Sequence, residues 1–295
     1  MLSASCFMYE VYGLTISSEF EIQELNSCNP DSPIDVVVKF ANLGLIKNAT
    51  EVSFSFSENQ QTIVLPAVGA FVINGLNSVL VEPKSGVGHD FLAVPFLGPV
   101  LAILLYSRGL FVLHGSAIVR KGLAYGFLGD KGAGKSTLAA MLLNNENVEL
   151  LTDDLLVVNK DFEVLCGYSQ LKLSDEALGY SNQNLGHVRP PPIEQFPKNQ
   201  FLLKKRATFK SVPMGGIFEL KRDTGARIEA IPISEAIRVL LRFSYIARFT
   251  DRLVDPSEKQ NLFSLASNIA STQRVNRIYV PDCISKLKDV IRILN

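Results

Sequence analysis

The first 90 or so residues alternate short apolar runs with polar turns. The runs are rich in Val, Ile and Phe, which is typical of half-buried β-strands. Polar clusters such as residues 28–33 and 57–61 separate them. We therefore expect an antiparallel β-meander in this region, with strands at residues 36–38, 52–56, 62–65 and 78–81.

One longer apolar stretch, residues 91–106, follows this region. Pro95 and Pro99 interrupt it, and it falls short of the ~20 uninterrupted apolar residues that cross a bilayer. We therefore expect a buried helix near residues 99–108 that ends with Gly109 as its C-cap. No basic segment followed by a long apolar core opens the chain, so no signal peptide is expected.

Strands and a helix are predicted after this stretch. The pattern predicts strands at residues 110–113 and 116–119, with His114 on the turn between them. An apolar β-α-β pattern comes next, with its strand, helix and strand at residues 123–128, 137–143 and 148–151. Such a unit implies two parallel strands that are joined by a right-handed crossover.

The C-terminal part begins with a segment that lacks periodicity. Residues 178–209 contain three consecutive prolines and several Asn and Gln residues, so we expect a long irregular segment, of a kind that often serves as a lid. Beyond it we expect strands at 216–220 and 228–231, helices at 234–248 and 256–272, a strand at 275–280 and a helix at 282–294. The predicted fold class is α/β, with a β-rich region over residues 1–90 and a core over 91–295 that carries a lid at about 178–210.

The residues after the predicted strand 123–128 match the phosphate-binding pattern G-x-x-x-x-G-K-[ST] in full. They are Gly129, Asp130, Lys131, Gly132, Ala133, Gly134, Lys135 and Ser136, followed by Thr137. The glycines let backbone N–H groups turn toward phosphate oxygens, and the helix points its positive N-terminal end at the same anion. Lys135 is expected to reach the β- and γ-phosphates and Ser136 to bind magnesium. The pattern therefore predicts ATP and Mg²⁺ as ligands.

Two adjacent carboxylates, Asp153 and Asp154, follow the predicted strand 148–151. A helix of about ten residues rises ~15 Å, which returns the chain to the edge of the sheet where the phosphate loop begins. Both carboxylates should therefore face the phosphates. We expect one to hold the metal ion and the other to accept a proton from an attacking hydroxyl, with a helix N-cap or a solvated turn as the alternative.

Spacing and missing signatures narrow the class of enzyme. Asp153 follows Lys135 by 18 residues, closer than the second acidic motif of many P-loop ATPases. The chain has no LSGGQ-like signature and no guanine-reading NKxD, which disfavours an ABC ATPase or a GTPase. A lone histidine such as His114 is usually structural, but the neighbouring motifs lead us to expect it at the γ-phosphate. No role is expected for His89 or His187.

Five runs of the chain carry a resemblance to a known family. They are residues 12–19, 113–117, 126–137, 150–154 and 212–218. In these runs the chain resembles the HPr serine kinase family and, more narrowly, the HPr-kinase-related proteins found with lasso-peptide and similar peptide-modification clusters. The C-terminal quarter matches only in its general pattern.

The resemblance implies a fold akin to that of phosphoenolpyruvate carboxykinase, with the P-loop beside a mixed sheet. It also implies transfer of the ATP γ-phosphoryl group to a serine hydroxyl, and the lasso-cluster relatives are associated with the C-terminal serine of a precursor peptide. By position, Asp153 matches the general base of the family and Asp154 its metal carboxylate. HPr kinases proper carry Glu where this chain has Thr137, which argues against HPr as the substrate.

Composition sets limits on the function. With 47% apolar residues, 20% charged residues and a formal net charge of zero, the 295-residue chain has no overall attraction to nucleic acid or to an acidic membrane. Its four scattered cysteines form no CxxC pair, so we expect free thiols in a reducing cytoplasm. The oligomeric state stays open, a homo-oligomer included.

The sequence thus predicts a cytoplasmic Mg-ATP-dependent kinase for a serine of a peptide or protein, with a modified-peptide precursor as one such substrate. Lys135, Asp153 and His114 are the expected catalytic residues, and Ser136 and Asp154 the expected metal ligands. A small-metabolite kinase and a nucleotide-sensing regulator or ATPase without an acceptor are the alternatives.

Several cations could assist at the phosphates. A lid over phosphate and a solvated surface are equally good interpretations of the basic residues Lys198, Lys204, Lys205, Arg206 and Lys210. Arg242 and Arg248 lie on a predicted helix, where a surface position is favoured over a role as a transition-state cation.

Overall fold

The computed structural model describes residues 6–190, 198–205, 207–249 and 256–294. It is an α/β fold with mixed sheets, and the chain divides into two compact units. The first unit comprises Met1–Gly109 with Arg248–Lys259, and the second comprises Leu110–Ala247 with Gln260–Asn295.

The first unit is built on one β-sheet, which confirms the β-rich N-terminal region. Its strands are β1 (Phe7–Val11), β2 (Leu14–Ser18), β3 (Asn26–Ser27), β4 (Val36–Phe40), β5 (Ser53–Phe56), β6 (Gln60–Leu65), β7 (Gly69–Asn74) and β8 (Ser78–Pro83). They are ordered β3-β1-β2-β4-β8-β7-β6-β5. Apolar side chains that alternate along these strands form the buried face.

Most neighbouring strands in this sheet are antiparallel, but β4 is an exception. It lies between β2 and β8 and pairs with both of them in parallel. A parallel neighbour cannot be reached through a tight hairpin, so the chain takes longer connections on both sides of β4. The prediction of a simple antiparallel meander is therefore wrong at this strand. The alternation of apolar residues indicates which face is buried, whereas the identity of the neighbouring strand depends on distant residues.

The apolar stretch forms helical structure over His89–Ser107. Helices α1 (His89–Pro95) and α2 (Leu101–Ser107) flank a kink within Phe96–Val100, where Gly98 has non-helical backbone angles. This stretch is long and apolar enough to cross a membrane by length and composition, but 67% of its most apolar window is buried inside the protein. Burial of this kind is typical of a core helix. The predicted buried helix is confirmed, and it begins earlier than expected.

The second unit alternates strands and helices. Its strands are β9 (Phe111–Arg120), β10 (Leu123–Leu128), β11 (Val148–Thr152), β12 (Leu155–Val158), β13 (Glu163–Leu165), β14 (Gln170–Leu173), β15 (Gly186–Arg189), β16 (Asn199–Leu203), β17 (Ser211–Asp223), β18 (Arg227–Ala230) and β19 (Val275–Pro281). Its helices are α3 (Lys135–Leu142), α4 (Asp175–Gly179), α5 (Ile233–Phe243), most of α6 (Pro256–Thr272), and α7 (Leu287–Leu294).

Strand β9 organises the main sheet of this unit. It pairs antiparallel with β10 along one edge and with β11 and β12 along the other. Strand β10 also pairs with β17 in parallel, and β17 pairs with β19 in parallel. Strands β10 and β11 therefore run in the same direction, as the β-α-β pattern predicts, but β9 lies between them.

Two local predictions are wrong. Residues 110–119 were expected to turn at His114, yet β9 passes straight through this residue. Residues 178–209 were expected to be irregular, yet β15 and β16 lie within them and join β14 in a small antiparallel sheet ordered β14-β16-β15. Residues 191–197 and Arg206 of the expected lid lie outside the described residues.

Two predicted helices are shorter than expected. Helix α5 ends at Phe243, and a separate 3₁₀ turn follows at Ile246–Phe249. Helix α7 is preceded by a 3₁₀ turn at Ile284–Lys286.

Helix α3 lies in a shared apolar core. Leu138, Ala139 and Leu142 of α3 are buried with residues of the main sheet and with one face of the small sheet. The small sheet contributes Leu171, Leu173, Phe201 and Leu203. Its alternate residues, which include Gln170, Lys172 and Gln200, point away from this core. Packing on both sides fixes the N-terminus of α3 relative to β14.

Candidate phosphate loop and carboxylate pair

The glycine-rich loop, residues 129–134, joins the end of β10 to the start of α3. Gly132 and Gly134 have φ angles of 86° and 98°, a region that residues with side chains rarely adopt. Gly134 occupies the N-cap position of α3. The N-terminal end of a helix has unpaired N–H groups and a partial positive charge, so the loop lies where an anion is favoured.

Lys135, the first residue of α3, folds back over the loop. The residue is 8% exposed, and its Nζ donates hydrogen bonds to the carbonyl oxygens of Gly129 at 2.7 Å and Asp130 at 3.3 Å. Asp130 is exposed, and its two carboxylate oxygens accept hydrogen bonds from Nη2 of Arg242 on α5 at 2.9 and 2.8 Å. The other predicted nucleotide-binding side chains are exposed at Lys131 and half-buried at Ala133, Ser136 and Thr137.

The carboxylate pair, Asp153 and Asp154, interrupts a strand. β11 ends just before the pair, β12 begins just after it, and both run antiparallel to β9. Asp154 has a φ angle of 69°, which is uncommon for a residue with a side chain, and its carbonyl accepts a hydrogen bond from the Gly115 N–H at 3.3 Å. The backbone of the pair is therefore held against β9 on both sides.

Asp153 is 2% exposed and accepts three hydrogen bonds. Its Oδ1 accepts from the hydroxyls of Ser116 at 2.5 Å and Ser136 at 3.1 Å, and its Oδ2 accepts from the Lys172 backbone N–H at 3.2 Å. Burial raises the pKa of Asp153, and the adjacent charge of Asp154 raises it further, while the bonds from Ser116 and Lys172 act in the opposite direction. The bond to Ser136 joins the carboxylate pair directly to α3.

Asp154 has a different environment. Its Oδ2 forms an ion pair with Nζ of Lys172, and 26% of its side chain is exposed. Burial alone would raise the pKa of Asp154. The charge and hydrogen bond of Lys172 outweigh burial, with further contributions from His114 and Lys198, and set this pKa at about 2. The pKa values of the two adjacent carboxyls are thus shifted in opposite directions, which is common where paired acids have different roles.

His114 lies beside the carboxylate pair. Its Nδ1 is 3.2 Å from the backbone carbonyl oxygen of Asp154, and a protonated Nδ1 would donate a hydrogen bond to that oxygen. Its ring meets the Tyr245 ring edge-on, with the ring centroids 6.4 Å apart. Because His114 and Leu155 are cross-strand partners on β9 and β12, the sheet itself brings the histidine to the pair.

The structure thus brings together most of the residues predicted from the sequence. Lys135, Ser136, Asp153, Asp154 and His114 lie around the junction of β10, α3, β9 and β11. The Ser136 hydroxyl contacts Asp153, whereas the sequence had grouped Ser136 with Asp154 as metal ligands.

Three further side chains were not predicted. Ser116 and Lys172 hold the carboxylate pair, and Arg222 donates hydrogen bonds to the carbonyl oxygens of Gly132 at 3.0 Å and Pro281 at 2.7 Å. The only signal for Lys172 is a lone charge within an apolar alternation, and the only signal for Ser116 is its place in the run 113–117. Both depend on strand pairings that the sequence does not reveal.

The residues of the predicted basic segment lie in different environments. The charge of Lys198 helps to lower the pKa of Asp154, whereas Nζ of Lys205 forms an ion pair with Oε1 of Glu149 at 2.5 Å. Lys204 and Lys210 are exposed on the surface. Arg248 belongs to the first unit, and Arg206 lies outside the described residues.

Comparison with protein families and with curated proteins identifies no relative of this chain. The chain matches no protein-family model, and a search of curated proteins finds no match.

Proposed function

We propose that the chain is a Mg-ATP-dependent phosphotransferase that acts on a hydroxyl group, with a P-loop core of the HPr kinase and phosphoenolpyruvate carboxykinase type. The observation that carries the proposal is the 3.1 Å hydrogen bond between Ser136 and Asp153. It joins the glycine-rich loop to the carboxylate pair, so that an anion cradle and two acids lie side by side. P-loop enzymes bind the phosphates of ATP and its magnesium ion with this combination.

The loop residues suit a polyphosphate. The positive φ angles of Gly132 and Gly134 let successive N–H groups turn inward, and α3 adds the positive end of its dipole. Nζ of Lys135 already lies over the carbonyls of Gly129 and Asp130, where a phosphate oxygen would replace weaker acceptors.

Ser136 and Asp153 suit magnesium. Both offer hard oxygen atoms, which Mg²⁺ prefers, and the hydrogen bond between them shows that the two oxygens can approach the same point. Among the described residues, no three His, Cys, Asp or Glu side chains form a metal-binding group. Two protein oxygens are enough where phosphate oxygens and water supply the others. When bound, the ion would neutralise charge on the phosphates.

Asp154 is better placed than Asp153 to meet an acceptor hydroxyl. Asp153 is buried behind two serine hydroxyls, whereas 26% of the Asp154 side chain is exposed. We therefore propose the reverse of the roles that position in the motif implies: Asp153 joins Ser136 at the metal, and Asp154 orients the acceptor hydroxyl and takes its proton. His114 lies next to Asp154 and would stabilise the terminal phosphate.

The acceptor is proposed from the resemblance described above. It points to a serine of a peptide or protein in the cytoplasm, and in particular to the C-terminal serine of a lasso-type precursor peptide. Such a reaction depends on positioning and on charge stabilisation, because little covalent chemistry falls to the protein.

The proposal can be tested with ATP that is labelled in its γ-phosphate. The purified protein is offered precursor peptides from the same gene neighbourhood, with free serine and sugars as separate arms. Label should appear on a serine-bearing peptide, and Asp154→Asn should lower the rate by at least ~100-fold.

Other outcomes assign a different activity. Label on a free metabolite would indicate a small-molecule kinase. ATP binding without any labelled acceptor would indicate a nucleotide-sensing regulator or ATPase. Transfer by Asp154→Asn at the wild-type rate would show that the assigned proton acceptor is wrong.

A further inference from the structure

Lys172 contacts both members of the carboxylate pair through different atoms. Its backbone N–H donates to Oδ2 of Asp153 at 3.2 Å, and its ammonium forms an ion pair with Oδ2 of Asp154. A single residue on β14 therefore holds two acids that belong to a different strand. The role described so far for the lysine is to position them.

The backbone of Lys172 is fixed close to the glycine-rich loop. Leu171 and Leu173, its neighbours on β14, are 0% and 1% exposed within the core that also contains α3. The Ser136 hydroxyl and the Lys172 N–H bind the two oxygens of the same Asp153 carboxylate, so that α3 and β14 are separated by one carboxylate group.

The side chain of Lys172, in contrast, is adaptable. It is 38% exposed, and a lysine carries its charge at the end of a flexible four-carbon stem. Its ammonium can therefore change partner while the backbone bond to Asp153 stays in place.

Basic side chains are concentrated near Asp154. Lys172, Lys198 and His114 all act on this one partly exposed carboxylate. A terminal phosphate carries more negative charge and more acceptor oxygens than a carboxylate, so an ammonium beside both would favour the phosphate.

From this arrangement we infer that Lys172 is a second phosphate-binding lysine. When a nucleoside triphosphate binds, the Lys172 ammonium breaks its ion pair with Asp154 and contacts the terminal phosphate on the side opposite Lys135. The inference rests on the proposed function, because it takes the glycine-rich loop as the polyphosphate site. It also links two events: the arrival of the triphosphate releases Asp154 from its ion pair and leaves the carboxylate available to an acceptor hydroxyl.

The experiment compares the affinities for ATP and ADP, in magnesium, by calorimetry. Lys172→Met should weaken ATP binding by about 10- to 100-fold, the loss expected for one charge-assisted hydrogen bond, and ADP binding by less than threefold. Lys172→Arg keeps the charge and should retain most of the preference for ATP. Lys160→Met removes an exposed lysine from the turn between β12 and β13 and should change neither affinity.

A second variant tests the exchange of partners. Asp154→Asn removes the competing carboxylate, so it should leave ATP binding unchanged or strengthen it. Thermal unfolding of each variant identifies any that fail to fold, and Lys172→Gln, which also removes the charge, then replaces Lys172→Met in the comparison.

Each result points to one conclusion. Equal weakening of ATP and ADP by Lys172→Met would mean that the lysine only positions the carboxylates, and the inference would be overturned. Weaker ATP binding by Asp154→Asn would also contradict it, because the lysine would then need its carboxylate partner. A wild-type protein that binds neither nucleotide would refute the proposed function itself, whereas normal binding with an unchanged preference in Lys172→Met would remove only the role of Lys172.

Discussion

A substitution at Gly134 can separate the effect of backbone strain on stability from the effect of the glycine-rich loop on nucleotide binding. Gly134 has a φ angle of 98° at the N-cap of α3, and a Cβ atom at this position would lie 3.4 Å from Nη2 of Arg222. Gly134→Ala therefore introduces backbone strain without a severe clash. Gly122, in the turn between β9 and β10, has a φ angle of 74°, and a Cβ atom added there would meet no atom within 4 Å, which makes Gly122→Ala a matched control.

The magnitude follows from the backbone angles. A residue with a side chain in a sparsely populated φ region costs roughly 1–3 kcal/mol, so both variants should lower the free energy of unfolding by a similar amount in that range. Their effects on nucleotide binding should differ. In Gly134→Ala the loop can relieve strain only by turning its N–H groups, whereas Gly122 lies on a turn that contributes nothing to the site. We expect ATP to bind at least ~10-fold more weakly to Gly134→Ala, and less than twofold more weakly to Gly122→Ala.

Urea denaturation followed by far-UV circular dichroism gives the stability loss, and calorimetry with ATP gives the affinity. Equal ATP affinity for the two variants, at equal stability loss, would refute the assignment of the loop as the phosphate site. A much larger stability loss in Gly134→Ala would instead point to a clash with Arg222 that the 3.4 Å spacing does not predict.

Three further predictions concern buried charges. Arg277→Met should destabilise the protein by ~1.5–3 kcal/mol in urea denaturation, because Glu219, which is 1% exposed, loses the guanidinium that contacts it at 2.7 Å and keeps only Lys221 at 3.0 Å. Asp154→Asn should lower the free energy of unfolding at pH 7 by ~1–2 kcal/mol, since a carboxyl with a lowered pKa stabilises the fold above its unfolded pKa. That difference from wild type should disappear as the pH falls from about 4 toward 2. Asp153→Asn should have the opposite sign, because a raised pKa makes the ionised carboxyl a net cost: its free energy of unfolding should exceed that of wild type at pH 7, and the gain should shrink as the pH falls and be absent below about pH 4.

The parts of the fold that the sequence predicts well are those encoded locally. Strand β10, the glycine-rich loop and helix α3 lie within about twenty consecutive residues. Each of the three has its own composition signal in the sequence. His114 shows where local signals mislead. His-Gly-Ser is a typical turn composition, yet Gly115 lies inside β9, where a Cβ atom would come within 2.7 Å of the Phe127 carbonyl oxygen. The glycine indicates a close approach of two strands and not a turn.

The small sheet and the partners of the carboxylate pair could not be predicted. The Asn, Gln and Pro content of residues 178–209 favours a loop, and the apolar run Phe201-Leu202-Leu203 is too short to outweigh it. The fact that decides the structure is that β16 pairs with β14, about thirty residues earlier in the chain. Lys172 becomes visible as a site residue only once that pairing is known, because the pairing places β14 beside α3.

The interruption of the strand at Asp153 and Asp154 determines which parts of the site can respond to a ligand. At a free strand end, two acids could shift with their backbone when a polyphosphate arrives. Here Thr152 is paired with Ala117 and Leu155 with His114, so the backbone is held by β9 immediately before and after the pair. Adaptation to a ligand must therefore come from side chains that approach the pair from other elements. Lys135 on α3 and Lys172 on β14 are long enough to exchange partners while the carboxylates keep their places. In the proposed reaction, a rigid acid pair served by adaptable cations would keep the metal and acceptor positions constant as phosphate enters and leaves.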